Sequence, residues 1–195
     1  MARTSLTTEL GINLRNWAKC VVAQLSEWFL VELVKLRADY QFGPGAGEGL
    51  ASRGMRVVVS KRTGKPRYVY DSDGRLLATI RWNDGFLALT LEGARLLKEH
   101  LKPPRLRVVV KNDVRDFIKR GRSVFAKHVV RVDPEIRCGD EVMVVDEEDN
   151  LLAVGRAMLS SYEMLAFNSG VAVKVRRGVE SEDKPKRATE DATND

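Results

Sequence analysis

Apolar residues recur at three- and four-residue steps near the start of the chain: Leu14, Trp17, Val21, Leu25, Trp28 and Phe29, with Val22, Leu33 and Leu36 widening the stripe. This spacing predicts a long helix over about Leu14 to Ala38, with Trp17, Trp28 and Phe29 in the core and Cys20 as a small apolar filler beside them. A stripe wider than the sheet it covers would leave part of the helix to dock on another chain. Gly43, Pro44, Gly45, Gly47 and Gly49 then stop the pattern. Beyond Gly54 the period changes to two. Met55–Ser60, Arg67–Tyr70, Leu76–Arg81 and Phe86–Leu89 read as strands of an antiparallel meander, joined by turns that include Asp73-Gly74 and Asp84-Gly85. Thr90 is placed to cap a short helix over Leu91–Leu101, which ends at Pro103-Pro104.

A second series of elements follows. Leu106–Val110 reads as a strand. Asp113–Lys119 reads as a short helix capped by Asn112 or Asp113, with Val114, Phe117 and Ile118 on its inner side. Val124 and Phe125 read as core, and Val129–Val132, Glu141–Asp146, Leu151–Leu159 and Val171–Arg176 as further strands, with a bulge or bend at Gly155. Ser160 and Glu163 have capping-box spacing ahead of a helical turn. Many short strands around two short helices suggest a compact barrel-like module. The predicted class is α+β: a helix-plus-antiparallel-sheet domain over 1–103, a barrel-like domain over 104–177, and a polar acidic tail over 178–195, expected to be disordered and removable without loss of stability.

Charge adds a direction. The 195 residues carry a net +6, but Val179 to Asp195 is −3, so the body carries +9. A basic body is compatible with a nucleic-acid partner. Two cysteines and two histidines, far apart, make no disulfide framework or zinc knuckle, so no metal or cofactor is expected, and a reducing, cytoplasmic setting is. No apolar run reaches membrane-spanning length, so no membrane association is expected. The loop GPGAGEG lacks the GK[ST] ending of a phosphate-binding loop and reads as a helix terminator. Nothing pairs a nucleophile with a base, and the chain is not expected to be an enzyme.

The order of motifs GRSVFAKHV, DPEIRCGDEVMVV, LLAVGRAMLS and GVAVKVR, within Arg107 to Arg176, resembles a PUA domain. It is most similar to that of archaeosine tRNA-guanine transglycosylases and the related archaeosine synthases. ADYQFGPGAGEGL and the strand run after it resemble the smaller pre-PUA domain of those archaeal enzymes. Their catalytic barrel and cysteine-rich zinc site have no counterpart in this sequence. The resemblance implies RNA binding, with the segment from Lys119 lying against a tRNA acceptor stem, either alone or beside a separately encoded tRNA-modification enzyme.

The residues of that segment suit the task. Lys119, Arg120, Arg122, Lys127 and Arg131 are five bases with no acid among them. Gly121 allows close approach, Ser123 adds a donor, and backbone N–H groups nearby are candidates for phosphate oxygens. Lys174, Arg176 and Arg177 on the last strand are expected beside them if the barrel closes. A solvated basic face is the competing reading of the same residues. His128 reads as packed, and Arg156 as a partner of Glu163. PUA binding in ribosome assembly or in a guide-RNA particle stays open, as does a protein–protein adaptor role.

Overall fold

The computed structural model describes residues 14–181, with side chains from Glu27 onward. Contacts divide the chain into two units, meeting in sequence at Leu101 and Lys102. The α+β reading holds in both.

In the N-terminal unit, helix α1 (Leu14–Phe42) runs four residues past its expected end. Tertiary contacts carry it through. Val34, Ala38 and Phe42, one helical face at four-residue steps, are fully buried. Gln41 uses both ends of its amide, donating to the carbonyl of Leu87 (2.9 Å) and accepting from its N–H (2.8 Å). The helix end thereby serves a strand edge as another strand would. Trp28 and Phe29, expected in the core, are about 60% exposed, because burial on α1 follows the Val34–Phe42 face. Trp17 and Cys20 lie outside the described side chains.

The glycine-rich loop contains a short helix that the sequence pattern did not reveal, α2 (Ala46–Ala51). A Cβ on Gly47 would lie 2.5 Å from the Lys35 carbonyl oxygen of α1, and one on Gly49 would lie 2.9 Å from the His100 Cβ of α3 (Leu91–His100). These glycines let three helices close on one another, and Asp39 accepts from the Gly47 N–H at 2.7 Å. Lys35 joins Glu48 (2.6 Å) and Glu32 (3.0 Å) beside this contact. Its hydrogen bond to Glu48, then that to Glu32, raises its pKa above the ordinary lysine value.

Strands β1 (Arg56–Val59), β2 (Pro66–Tyr70), β3 (Leu76–Ile80) and β4 (Leu87–Leu89) form the expected meander in sequential order. The register lines up Val57, Val69, Ala78 and Leu89, all buried, across one face. Thr90 caps α3 by accepting from the Gly93 N–H.

The C-terminal unit is a six-stranded, nearly closed sheet. Its strands are β5 (Arg107–Val110), β6 (Val124–Phe125), β7 (Val129–Val132), β8 (Glu141–Val145), β9 (Leu151–Ala157) and β10 (Val171–Gly178). Their order is β6-β10-β9-β8-β5-β7, with only β5 and β8 parallel. The outermost strands, β6 and β7, are consecutive in sequence and joined by a single 3₁₀ turn, Ala126–His128. Val108, Val144, Leu152, Met164 and Val173 fill the interior.

Three expectations need correcting here. Helix α4 is only Arg115–Lys119, preceded by a 3₁₀ turn; neither Asn112 nor Asp113 caps it, and Phe117 points outward while Ile118 is buried. Val124 is buried but Phe125 is 46% exposed, since neighbours on a strand face opposite ways. The irregularity expected at Gly155 has its extra residue on the partner strand: Val175 pairs with Gly155 and Arg177 with Val154, leaving Arg176 of β10 as the additional residue, and a Cβ on Gly155 would meet the Lys174 carbonyl oxygen at 2.5 Å.

Helix α5 (Ser161–Ala166) opens with the expected capping box. The Glu163 carboxylate accepts from the Ser160 N–H (2.8 Å) and hydroxyl (2.7 Å). Those bonds, the backbone one foremost, hold the Glu163 pKa below its ordinary value. A carboxylate depressed in the folded state stabilises it above the unfolded pKa, and that stability is lost as pH falls through the folded pKa. Glu163→Gln should therefore lower the melting temperature near neutral pH. The difference from wild type should shrink as acid protonates Glu163 in the native protein, as melting curves across the acidic range would read.

Candidate nucleic-acid interface

The basic segment begins at the end of α4. The Gly121 N–H donates to Ile118 O (2.8 Å) and the Arg122 N–H to Phe117 O (3.1 Å), with Gly121 at φ +90°. This is a left-handed glycine cap, in which glycine avoids the strain of a Cβ. Gly121 thus shapes a helix end. The Arg120 N–H is also used, donating to Asp116 O at 3.3 Å. The backbone N–H groups of Arg120, Gly121 and Arg122 are satisfied within the turn, so at these three residues the side chains carry the interaction capacity.

The same turn is held against the end of β10. The Glu180 N–H donates to Lys119 O (2.9 Å), the Val179 N–H to Leu152 O (2.9 Å), and Lys119 pairs with Glu180 at 3.4 Å. A Cβ on Gly178 would lie 2.6 Å from Ile118 O. Gly178 to Ser181, expected in the disordered tail, are instead held by these contacts; residues 182–195 lie outside those described. Cutting the chain after Arg177 removes both backbone bonds and the ion pair, at about 2 kcal/mol together. The melting temperature of the C-terminal unit should drop by roughly 8–16 °C, which calorimetry would measure.

The predicted residues separate into two groups. Arg120, Arg122, Lys127, Arg131 and Lys174 are exposed, and none is ion-paired among the described residues. Lys119 and Arg176 are engaged. Arg176 reaches from β10 to both carboxylate oxygens of Glu141 on β8, a group only 2% exposed. Pairing of Val124 with Val173 leaves Ser123 and Lys174, the adjoining residue on each strand, beside one another, with Arg122 one residue further on. Lys127 follows in the 3₁₀ turn. Arg131 lies on β7 opposite Val109, at the far end of the strand order from β6. The end of α4 and β10 are therefore brought together, while Arg131 sits on the strand at the opposite end of the order, four residues after Lys127.

Arg156 does not pair with Glu163. Its Nε donates to Gly139 O at 3.0 Å, and Glu163 is taken by the capping box. Sequence reading missed the roles of Glu141 and Glu180, whose partners lie 35 and 61 residues away. No local signal marks either pair.

Residues 33–104 match the patch-forming domain C2 of tRNA-guanine transglycosylase, and residues 106–179 match the PUA domain. The chain carries a C2 domain followed by a PUA domain. Over 143 residues it is 52% identical to the tRNA-guanine(15) transglycosylase of Pyrococcus furiosus, covering 73% of this chain and 24% of that protein. Over 156 residues it is 42% identical to the Thermoplasma acidophilum enzyme of the same name, covering 80% and 24%. The C2–PUA chain thus spans about a quarter of the length of these curated relatives, in their C-terminal part. A hypothetical protein from Pyrococcus horikoshii shares the fold, with a TM-score of 0.57, 23% identity and coverage of 78% of this chain and 92% of that one. A conserved PUA domain protein from Thermoplasma acidophilum follows at 0.50 and 23%, covering 69% and 87%.

The buried Glu141 makes Arg176 a strong test of the PUA unit's stability. Removing one partner of a buried pair leaves the other charge uncompensated. Arg176 is itself partly exposed, so the cost is discounted for solvent screening. Arg176→Ala should lower the unfolding free energy by about 2–3 kcal/mol, measurable by urea denaturation.

Proposed function

We propose that this C2–PUA chain is a non-catalytic RNA-binding protein that grips tRNA through its PUA unit. It acts alone or as an accessory subunit to a separately encoded tRNA-modifying enzyme of the archaeosine type. The observation that carries this reading is the tandem match to C2 and PUA domains, at about half identity, in the C-terminal part of tRNA transglycosylases. The family match supports RNA as the partner class and tRNA modification as the setting.

One observation favours a binding role over a catalytic one: the shared quarter lies in the C-terminal part of those relatives, away from their catalytic site. No helix among the described residues is long and apolar enough to cross a membrane. A cytoplasmic location suits a protein acting on tRNA.

The mechanism is phosphate neutralisation and shape reading. RNA helices present phosphates and 2′-hydroxyls on a wide, shallow groove, where exposed guanidinium and ammonium groups reach them without reading bases. Arg120, Arg122, Lys127 and Lys174 supply the free charge, with Ser123 as a small donor and Arg131 extending the contact. The acceptor stem is the element this surface takes. Lys119, Gly121 and Arg176 hold the frame from which the others project.

The test is a salt-titrated binding assay with total tRNA, 5S RNA and duplex DNA. The expected result is a preference for tRNA that weakens as salt rises and falls when the acceptor end is removed. Arg120→Glu with Arg122→Glu should reduce the log–log salt slope by about 1.4–1.8, two phosphate contacts, with the melting temperature retained. Equal weak binding to all three nucleic acids, or an unchanged slope in the double variant, would refute the reading.

A further inference from the structure

The C2 unit holds a second group of cations that PUA binding leaves unused. Arg56, Lys61, Arg62, Lys65 and Arg67 are five bases within twelve residues, with no acid between them. All sit on the β1–β2 hairpin, and all are exposed. The hairpin tip is ordered by two backbone bonds, Ser60 N–H to Lys65 O (2.9 Å) and Gly64 N–H to Ser60 O (2.8 Å). None of the five is ion-paired among the described residues, in contrast to Lys35, Arg53 and Arg81 of the same unit. Like charges gathered on one hairpin repel one another, and an anionic partner relieves that repulsion.

Aromatic rings adjoin the charge. The register sets Arg56 against Tyr70 and Val58 against Tyr68, on the sheet face opposite the buried row Val57–Val69–Ala78–Leu89. Both tyrosines are half-buried. The Arg56 guanidinium lies 5.6 Å from the Tyr70 ring centre, and that of Arg67 lies 5.5 Å from the Tyr68 ring centre. The two rings are 6.3 Å apart. Two phenol rings with two flat cations, next to three protruding bases, make a surface for a partner offering flat rings and phosphates together. Unpaired RNA offers both, whereas a duplex hides its base faces and an anionic membrane has no rings to stack.

We infer that the outer sheet face and hairpin of the C2 unit bind a single-stranded RNA segment. Lys61, Arg62 and Lys65 hold its phosphates, and its bases stack at Tyr68 and Tyr70 beside Arg56 and Arg67. The choice of RNA rests on the function proposed above; the surface itself uses none of the PUA cations.

The experiment uses the full chain and three probes: a labelled oligouridylate of about 12 nucleotides, an RNA duplex of equal length, and vesicles containing phosphatidylserine. Oligouridylate should bind more tightly than duplex or vesicles. Arg62→Glu with Lys65→Glu should weaken it at least about tenfold and reduce the salt slope by about 1.4, the single-strand value for two contacts. Tyr68→Leu with Tyr70→Leu should weaken it by about tenfold with the slope unchanged, because stacking carries no counterion release. Melting curves confirm folding, and the exposed hairpin variant keeps the test decisive if the tyrosine variant unfolds. Failure of the wild-type chain to bind oligouridylate, wild-type affinity in the hairpin variant, or equal binding of duplex or vesicles would overturn the inference. Loss of oligouridylate binding only in the Arg120→Glu/Arg122→Glu variant would also overturn it and leave the PUA reading standing. Hairpin-dependent oligouridylate binding, with tRNA binding insensitive to Arg120 and Arg122, would uphold it while removing the PUA patch.

Discussion

Strand β10 is bonded on both sides, to β6 and to β9, and its end is pressed against the last turn of α4. The arrangement of the PUA unit's cations depends on this threefold attachment. Pairing with β6 sets Ser123 beside Lys174, and the contact at Gly178 meets the last turn of α4. A larger residue at Gly178 would collide with the carbonyls of Ile118 and Lys119. Surface charges are usually mobile, but here their backbone is immobilised by bonds formed far away in sequence. For the RNA binding proposed above, such preorganisation reduces the ordering cost.

The C2 unit is governed by close packing of helices on a small sheet. Gly47 and Gly49 let α2 wedge between α1 and α3, and Gln41 satisfies a strand edge that α1 would otherwise leave unpaired. A buried N–H or C=O left unbonded at that edge would cost about 1–3 kcal/mol. The glycine-rich stretch is therefore a packing element, which explains why it resembles a phosphate loop only in composition.

Cations in this protein divide by what surrounds them. Lys35, Arg107, Lys119 and Arg176 each meet a carboxylate and serve the fold. Arg107 is nearly fully buried, and its Nε donates to Asp149 at 2.8 Å. Among the described residues, Arg120, Arg122, Lys127 and Lys174 are exposed and without an ion pair, as are the bases of the β1–β2 hairpin. Net charge alone cannot make this division, since each base adds the same single charge whether paired or not.

Periodicity and turn chemistry are local, and these were legible. The meander of β1 to β4, the Thr90 cap, the Ser160–Glu163 box and the short strands of the PUA unit all follow from side-chain alternation and nearby hydrogen bonds. The motif order was also legible as a PUA resemblance. Element ends and facing were not: α1 continues because Phe42 and Gln41 find distant partners, and Phe117, Phe125, Trp28 and Phe29 face outward because only the assembled core decides which apolar positions it covers. The sequence by itself determined the α+β class, the order of elements and the location of a basic segment, since these rest on neighbours within a few residues. Tertiary structure decided which bases pair with Glu141 and Glu180 and which have no carboxylate partner among the described residues, because a carboxylate 35 or 61 residues away leaves no trace in local pattern.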